Sequence, residues 1–174
     1  MDNTNKNIFL VGPMGSGKTT IGRQLAKVLQ RHFYDSDREI EERTGAEISL
    51  IFELEGEEGF RKREMEMIDE LTNCSNIILA TGGGAVIKDE NRRHLHERGH
   101  VVYLKTGIEQ LRARTAKDKS RPLLQTANPE QTIRKILQER EPLYMEVAHT
   151  IVNTNDHPIR EIVKQICKQV QQST

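Results

Sequence analysis

The sequence predicts one α/β domain, a three-layer α/β/α arrangement around a central parallel five-stranded sheet, and three observations carry that expectation. Short apolar runs alternate with stretches of helical periodicity along the whole chain, the order that successive βαβ units produce. The runs Ile77-Ile78-Leu79-Ala80 and Val101-Val102-Tyr103-Leu104 are apolar at nearly every position instead of every second one, so they suit strands covered on both faces. Finally, 174 residues, about a third of them apolar, enclose one full core and are short for two, so residues 1–174 read as a single domain.

The first strand, Ile8-Phe9-Leu10-Val11, runs directly into Gly12-Pro13-Met14-Gly15-Ser16-Gly17-Lys18-Thr19-Thr20. Glycine, four residues, then Gly-Lys-Thr is the pattern of a loop whose backbone N–H groups turn inward on phosphate oxygens, a turn that only glycine permits. Lys18 brings a point charge to the β and γ phosphates, and Thr19 brings a hydroxyl able to ligate Mg²⁺. Ile21, Leu25 and Leu29 then recur at steps of four, so the loop opens onto a helix whose positive N-terminal end faces the anion. Nucleotide binding follows from this stretch; the fate of the nucleotide does not.

The second strand, Phe33-Tyr34, ends in Asp35-Ser36-Asp37. The strand at 76–80 ends in Thr81-Gly82 with no acid, so an acid on the metal side of the phosphates has to come from Asp35 or Asp37. The plainer alternative is that Asp37 caps the next helix and Asp35 makes a turn. Residues 38–60 have a helical pattern interrupted by Gly45, Gly56 and Gly59, which predicts short helices in a small subregion spanning about residues 33–62. A longer helix continues to residue 72. Arg61, Met65 and Ile68 share a helical phase on the margin of its buried stripe, so Arg61 faces something anionic despite the charged run around it.

Thr81-Gly82-Gly83-Gly84 is costly in chain entropy, which suits backbone that approaches a ligand and offers it N–H groups; a flexible turn is the alternative. A helix at 89–98 stops at Gly99, a strand occupies 101–104, and a helix occupies 108–116. Residues 117–127 are polar, proline-containing and without periodicity. With Arg112 and Arg114 ahead of it and Arg121 within it, the stretch 112–127 reads either as a solvated loop or as a lid that closes cations over phosphate and expels water. Asn128-Pro129 caps and opens a helix that Pro142 should kink or split, with Arg140 just ahead of that break. After the strand 150–152, Pro158 opens an amphipathic helix with Ile159, Ile162, Val163, Ile166 and Val170 on one face.

Composition removes several classes. Lys+Arg and Asp+Glu are equal at 26 each, so no global positive field recommends nucleic acid or an anionic membrane as a partner. Cys74 and Cys167 are far apart and suit a reducing compartment, the cytoplasm. The polar start and the four-residue apolar run behind it are too short for a signal peptide or a membrane span. His94 and His96, two apart on a helix, point different ways, and no Cys/His metal cluster is found. A GTP-dependent switch needs Asn-Lys-x-Asp and Asp-x-x-Gly, and neither string occurs.

Taken together, Gly-Pro-Met-Gly-Ser-Gly-Lys-Thr-Thr-Ile-Gly, Phe-Tyr-Asp-Ser-Asp, Gly-Glu-Glu-Gly-Phe-Arg, Ala-Thr-Gly-Gly-Gly, Arg121-Pro122-Leu123-Leu124 and Arg140-Glu141-Pro142-Leu143-Tyr144 closely resemble the bacterial shikimate kinases. The resemblance covers residues 7–166. It implies a P-loop fold of the nucleoside-monophosphate-kinase type, and transfer of the γ-phosphate of ATP to the 3-hydroxyl of shikimate, on the route to chorismate and the aromatic amino acids. It assigns Gly15, Ser16, Gly17, Lys18, Thr19 and Thr20 to ATP, with Arg114 on the adenine side and Arg121 as the lid arginine. Thr19 would hold Mg²⁺, with Asp35 reaching the ion through water. Asp37, Arg61, Gly82, Gly83, Gly84 and Arg140 would hold shikimate, with Phe52 and Phe60 packed on its ring. Lys18, Asp37 and Arg121 would carry the catalysis, Asp37 first as an orienting group. The chain departs from the family after its last strand: Asp156-His157 stands where related enzymes bring an arginine or glutamine to the adenine, which leaves His157 as the candidate for that contact. A monomer is expected. A gluconate-type or nucleoside monophosphate kinase, or a nucleotide-binding module without catalysis, stays open beside this reading.

Overall fold

In the computed structural model, which describes residues 6–116 and 126–173, five parallel strands form one sheet in the order β2-β3-β1-β4-β5. They are β1 (Ile8–Val11), β2 (His32–Asp35), β3 (Ile77–Ala80), β4 (His100–Lys105) and β5 (Thr150–Asn153). The helices are α1 (Lys18–Leu29), α2 (Ser36–Thr44), α3 (Ile48–Thr72), α4 (Asp89–Arg98), α5 (Ile108–Thr115), α6 (Pro129–Val147) and α7 (Ile159–Gln172).

Side chains alternate across a strand, and here both sets are apolar because both faces are covered. Phe9, Val11, Ile77, Leu79, Val101 and Tyr103 pack on one face under α3, α4 and α6, through Ile68, Leu71, Leu95, Tyr144 and Val147. Ile8, Leu10, Ile78, Val102 and Leu104 pack on the other under α1 and α7, through Ile21, Leu25, Ile162, Val163 and Ile166. The three expected layers are present. The register then positions the site: Asp35 pairs with Ala80 and Leu10 with Ala80's other edge, so β2, β3 and β1 end level. The segments that leave them, residues 12–17, 36–37 and 81–84, emerge side by side at the carboxyl end of the sheet, where open α/β sheets bind ligands.

The structure changes several local expectations. Of the three glycines in 38–60, Gly45 ends α2 in the left-handed region (φ 68°) and Gly56 breaks α3 with φ 73° and ψ 178°, whereas Gly59 continues the helix. Pro142 does not split α6, which runs unbroken from Pro129 to Val147. The reason is orientation: Pro142 and Gln138, whose carbonyl loses its donor, both lie on the exposed side of the helix, where solvent can satisfy that carbonyl. Arg112 and Arg114 belong to α5, so the described beginning of the stretch 112–127 is helical; Arg121 lies outside the described residues.

Candidate functional site

The phosphate loop is shaped by three glycines in conformations that other residues rarely adopt: Gly12 (φ 152°), Gly15 (φ 84°) and Gly17 (φ 93°). Gly17 caps α1, whose first turn has no acid and no capping side chain, so its N–H groups and positive end are left to an anion. Lys18 is buried, and its Nζ donates to the carbonyls of Gly12 at 2.6 Å and Pro13 at 2.8 Å, which holds the ammonium inside its own loop. From α5, Arg114 Nη1 donates to the Gly15 carbonyl at 3.0 Å, placing a second cation on the loop's outer side.

Asp35, not Asp37, is the helix cap. Its Oδ1 accepts from the backbone N–H of Asp37 at 3.0 Å and of Arg38 at 3.3 Å, while its Oδ2 accepts from Thr19 Oγ1 at 2.7 Å. Capping thus aims the second oxygen of Asp35 at the loop hydroxyl, and releases Asp37, in the first turn of α2, to face the crevice. Two hard oxygen donors at the loop's edge suit Mg²⁺, which keeps most of its waters and takes one or two protein oxygens beside substrate phosphates. No cluster of three or more His, Cys, Asp or Glu that could hold a metal is found among the described residues.

Beside the loop lies a chamber of about 260 Å³. Its walls include Asp37, Phe52, Phe60, Arg61, Glu64, Gly82, Gly83, Gly84 and Arg140, and a smaller cavity at Gly15, Gly17, Lys18, Thr19 and Thr20 shares Met14, Asp35, Asp37, Gly82 and Gly83 with it. Phe52 and Phe60 make an apolar floor with ring centroids 4.9 Å apart, and the Arg61 guanidinium sits 5.2 Å from the centre of the Phe60 ring. Arg61 is 5% exposed and Arg140 6% exposed. Arg61 Nη1 donates to Glu64 Oε1 at 2.8 Å, and its Nη2 reaches the rim residue Glu57 at 3.4 Å. No carboxylate lies within ion-pair distance of Arg140 among the described residues. A guanidinium so deeply buried without a direct counter-ion is a place prepared for an anion.

Glu64 went unnoticed in the sequence. It is fully buried, and burial first, against the opposing pull of Arg61, pushes its carboxyl above the usual range. Its signal was present: Arg61, Glu64 and Ile68 follow at i, i+3 and i+7, so the acid shares Arg61's face. Tyr144, also missed, is buried under Gly83 and donates to its carbonyl at 2.6 Å; burial pushes the phenol up to about 12, so it stays a donor.

The triple glycine also has a steric part, beside the expected row of N–H donors. The N–H of Gly82 is taken by Ser36 Oγ at 3.0 Å. A Cβ on Gly82 would stand 2.6 Å from Asp37 Oδ1 and 2.9 Å from Glu64 Oε2, and one on Gly84 would overlap the Arg61 guanidinium. These glycines make room for the charged side chains of the chamber. His157 is exposed, lines neither cavity, and its Nδ1 lies 3.6 Å from Glu161 Oε2 in the first turn of α7.

Comparison with known proteins agrees with this geometry. The family model for shikimate kinase matches residues 14–171. A shikimate kinase of Nitrosococcus oceani is 56% identical over 97% of this chain and 88% of its own, and one of Vibrio parahaemolyticus is 55% identical over 96% and 97%. Among solved structures, shikimate kinase from Acinetobacter baumannii in complex with shikimate superposes with a TM-score of 0.96, 52% identity, and 99% and 96% of the two chains covered.

Proposed function

The chain belongs to the shikimate kinase family, and from that premise we propose that it transfers the γ-phosphate of ATP to the 3-hydroxyl of shikimate, giving 3-phosphoshikimate and ADP. The observation that carries this reading is the shared wall: a phosphate loop and a chamber with two buried arginines meet at Asp35, Asp37, Gly82 and Gly83. A carboxylated polyol held by Arg61 and Arg140 would turn its hydroxyls toward Asp37 and the loop.

The residues divide the work. Gly15 to Thr20 cradle the phosphates with backbone N–H groups and the end of α1, while Lys18 and Arg114 add positive charge beside them. Thr19 and Asp35 would hold Mg²⁺, which when bound supplies neutralisation of the charge on the β and γ phosphates. Arg61 and Arg140 form charge-assisted bonds to the shikimate carboxylate, and Phe52 and Phe60 carry its ring. Asp37 accepts from the reacting hydroxyl and orients its oxygen. As the new P–O bond forms and the bond to the bridging oxygen breaks, that hydroxyl proton passes to Asp37 or onward to water. Because the transition state is loose, positioning and charge neutralisation matter more than base strength. Arg121 is assigned to the phosphates on the family resemblance, and His157 is the candidate for the adenine at the point where the chain departs from it. Two free thiols agree with work in the reducing cytoplasm, and no described helix is long and apolar enough to cross a membrane.

The test is ADP formation with ATP and Mg²⁺, offering shikimate, gluconate, a nucleoside monophosphate or no acceptor. Shikimate-dependent turnover that stops on chelation of Mg²⁺ is the expected result; turnover with another acceptor alone would overturn the substrate. Changing Asp37 to Asn should lower kcat about a hundredfold in a folded protein, the size of a lost orienting acceptor, and full activity would remove Asp37 from this role.

A further inference from the structure

The charges of the chamber carry a step beyond substrate binding, one that rests on the shikimate reading. Glu64 lines the chamber and is 0% exposed; its Oε1 is held by Arg61, while its Oε2 has no hydrogen-bond partner among the described residues. The charged groups facing it are Arg61 and the rim residue Glu57 from its own helix, Arg140 from α6, and Asp37 from α2, whose Oδ1 and Glu64 Oε2 both close on the same side of Gly82. Tyr144 of α6 lies near as a neutral phenol. Arg38, Asp35, Glu41 and Glu47 line the chamber as well, so its acids already outnumber its guanidiniums before a substrate enters.

A substrate carboxylate brings a further negative charge beside the buried Glu64. It also draws on the guanidinium that keeps Glu64 ionised, and in a medium of low dielectric the surplus charge is relieved most cheaply by a proton on the most buried acid. We propose that Glu64 takes up a proton from solvent when shikimate binds, so that the substrate's carboxylate replaces the charge of Glu64 at Arg61 and Arg140. One O–H bond forms at the Glu64 carboxyl, the buffer loses one proton, and Glu64 gains a donor where it had an unsatisfied acceptor. Burial already raises the Glu64 carboxyl in the free chain, against the pull of Arg61, and the substrate's charge adds in the same direction.

The sign of the pH dependence follows. A ligand that raises a group's pKa binds best when the group is protonated, so shikimate affinity is highest below the pKa of Glu64 in the free enzyme. It falls as pH rises from there to the higher value in the complex, by up to about tenfold per pH unit.

The experiment is titration calorimetry of the full chain with shikimate, in buffers of different ionisation enthalpy and across a pH series, repeated with Glu64→Gln. The expected result is a buffer-dependent heat equivalent to an uptake approaching about one proton per shikimate, absent in E64Q. The affinity of E64Q should be flat with pH and, at the alkaline end, equal to or tighter than that of the native chain. A glutamate that only positioned Arg61 would instead show weaker binding in E64Q at every pH and no buffer dependence in the native chain. Normal binding with buffer-independent heat overturns the proposal, as does proton uptake that persists in E64Q. Absence of shikimate binding at any pH overturns the substrate reading itself, a separately recognisable result. Should E64Q fail to fold, the native buffer series still decides whether a proton is taken up.

Discussion

Along the phosphate loop the working groups are neighbours in the chain, and Lys18 is held by the carbonyls of its own loop at 2.6 and 2.8 Å. Around the chamber, Asp37, Arg61, Glu64 and Arg140 come from three separate helices, and what holds them is mutual charge and the space left by Gly82 and Gly84. The loop is organised by backbone geometry, which survives the loss of a single side chain. The chamber is organised by pairing among buried charged side chains, where removing one member disturbs the rest. Damage to the loop should therefore appear in the chemical step, and damage to the chamber in substrate affinity.

The largest test of that division is Lys18→Ala. Loss of a charge aimed at the transferring phosphoryl group should lower kcat about 1,000-fold or more, while calorimetry still detects shikimate binding. A parallel loss of shikimate affinity would show that the two regions are not separable. Next comes Arg61→Ala, which removes a charge-assisted contact and strands Glu64; shikimate affinity should fall about a hundredfold, the scale of breaking a buried charged hydrogen bond, with nucleotide affinity unchanged. Gly84→Ala sharpens the comparison without touching charge. The new methyl must displace the Arg61 guanidinium, and overpacking of about 1.4 kcal/mol would raise the KM for shikimate about tenfold, again sparing nucleotide binding.

The smallest effect lies outside both regions, at the amino end of the sheet. His149 Nδ1 accepts from the Val101 N–H at 3.0 Å, its ring stacks 4.2 Å from His96, and His100 is 5.3 Å away. Burial, then the neighbouring His96, His100 and Lys6, lowers its pKa to about 4. A histidine depressed in the folded state stabilises the fold above its unfolded value of about 6.5, and that stability is lost as pH falls from there toward about 4. The side chain stays partly exposed, so solvent screens part of the effect. His149→Gln should narrow the fall in Tm over that window by thermal unfolding; an unchanged fall would place the acid sensitivity elsewhere.

Most of the fold was legible because its signals are local. Continuous apolar runs marked the strands buried on both faces, and the Asn128-Pro129 cap and the face of α7 marked helix starts from neighbouring residues alone. That Pro142 does not split its helix was not legible, because a proline's effect on a helix depends on which side meets water, and that is a tertiary fact. The same distinction runs through the site. Arg61 was legible as facing an anion from its phase, but the protein anion it meets, Glu64, looked like one more charge in a solvated run until packing showed it fully buried.

By itself, then, the sequence determined the order of strands and helices, the phosphate loop with Lys18 and Thr19, and the set of acids and arginines that make a small-molecule kinase, because glycine conformations and hydrophobic periods are properties of adjacent residues. Only the tertiary structure decided that Asp35 caps α2 while bonding Thr19, that Gly82 and Gly84 are spaces for side chains, and that Glu64 is the buried partner of Arg61. Those depend on burial and on pairing between helices far apart in the chain, and neither desolvation nor a charge's partner is written in the residues beside it.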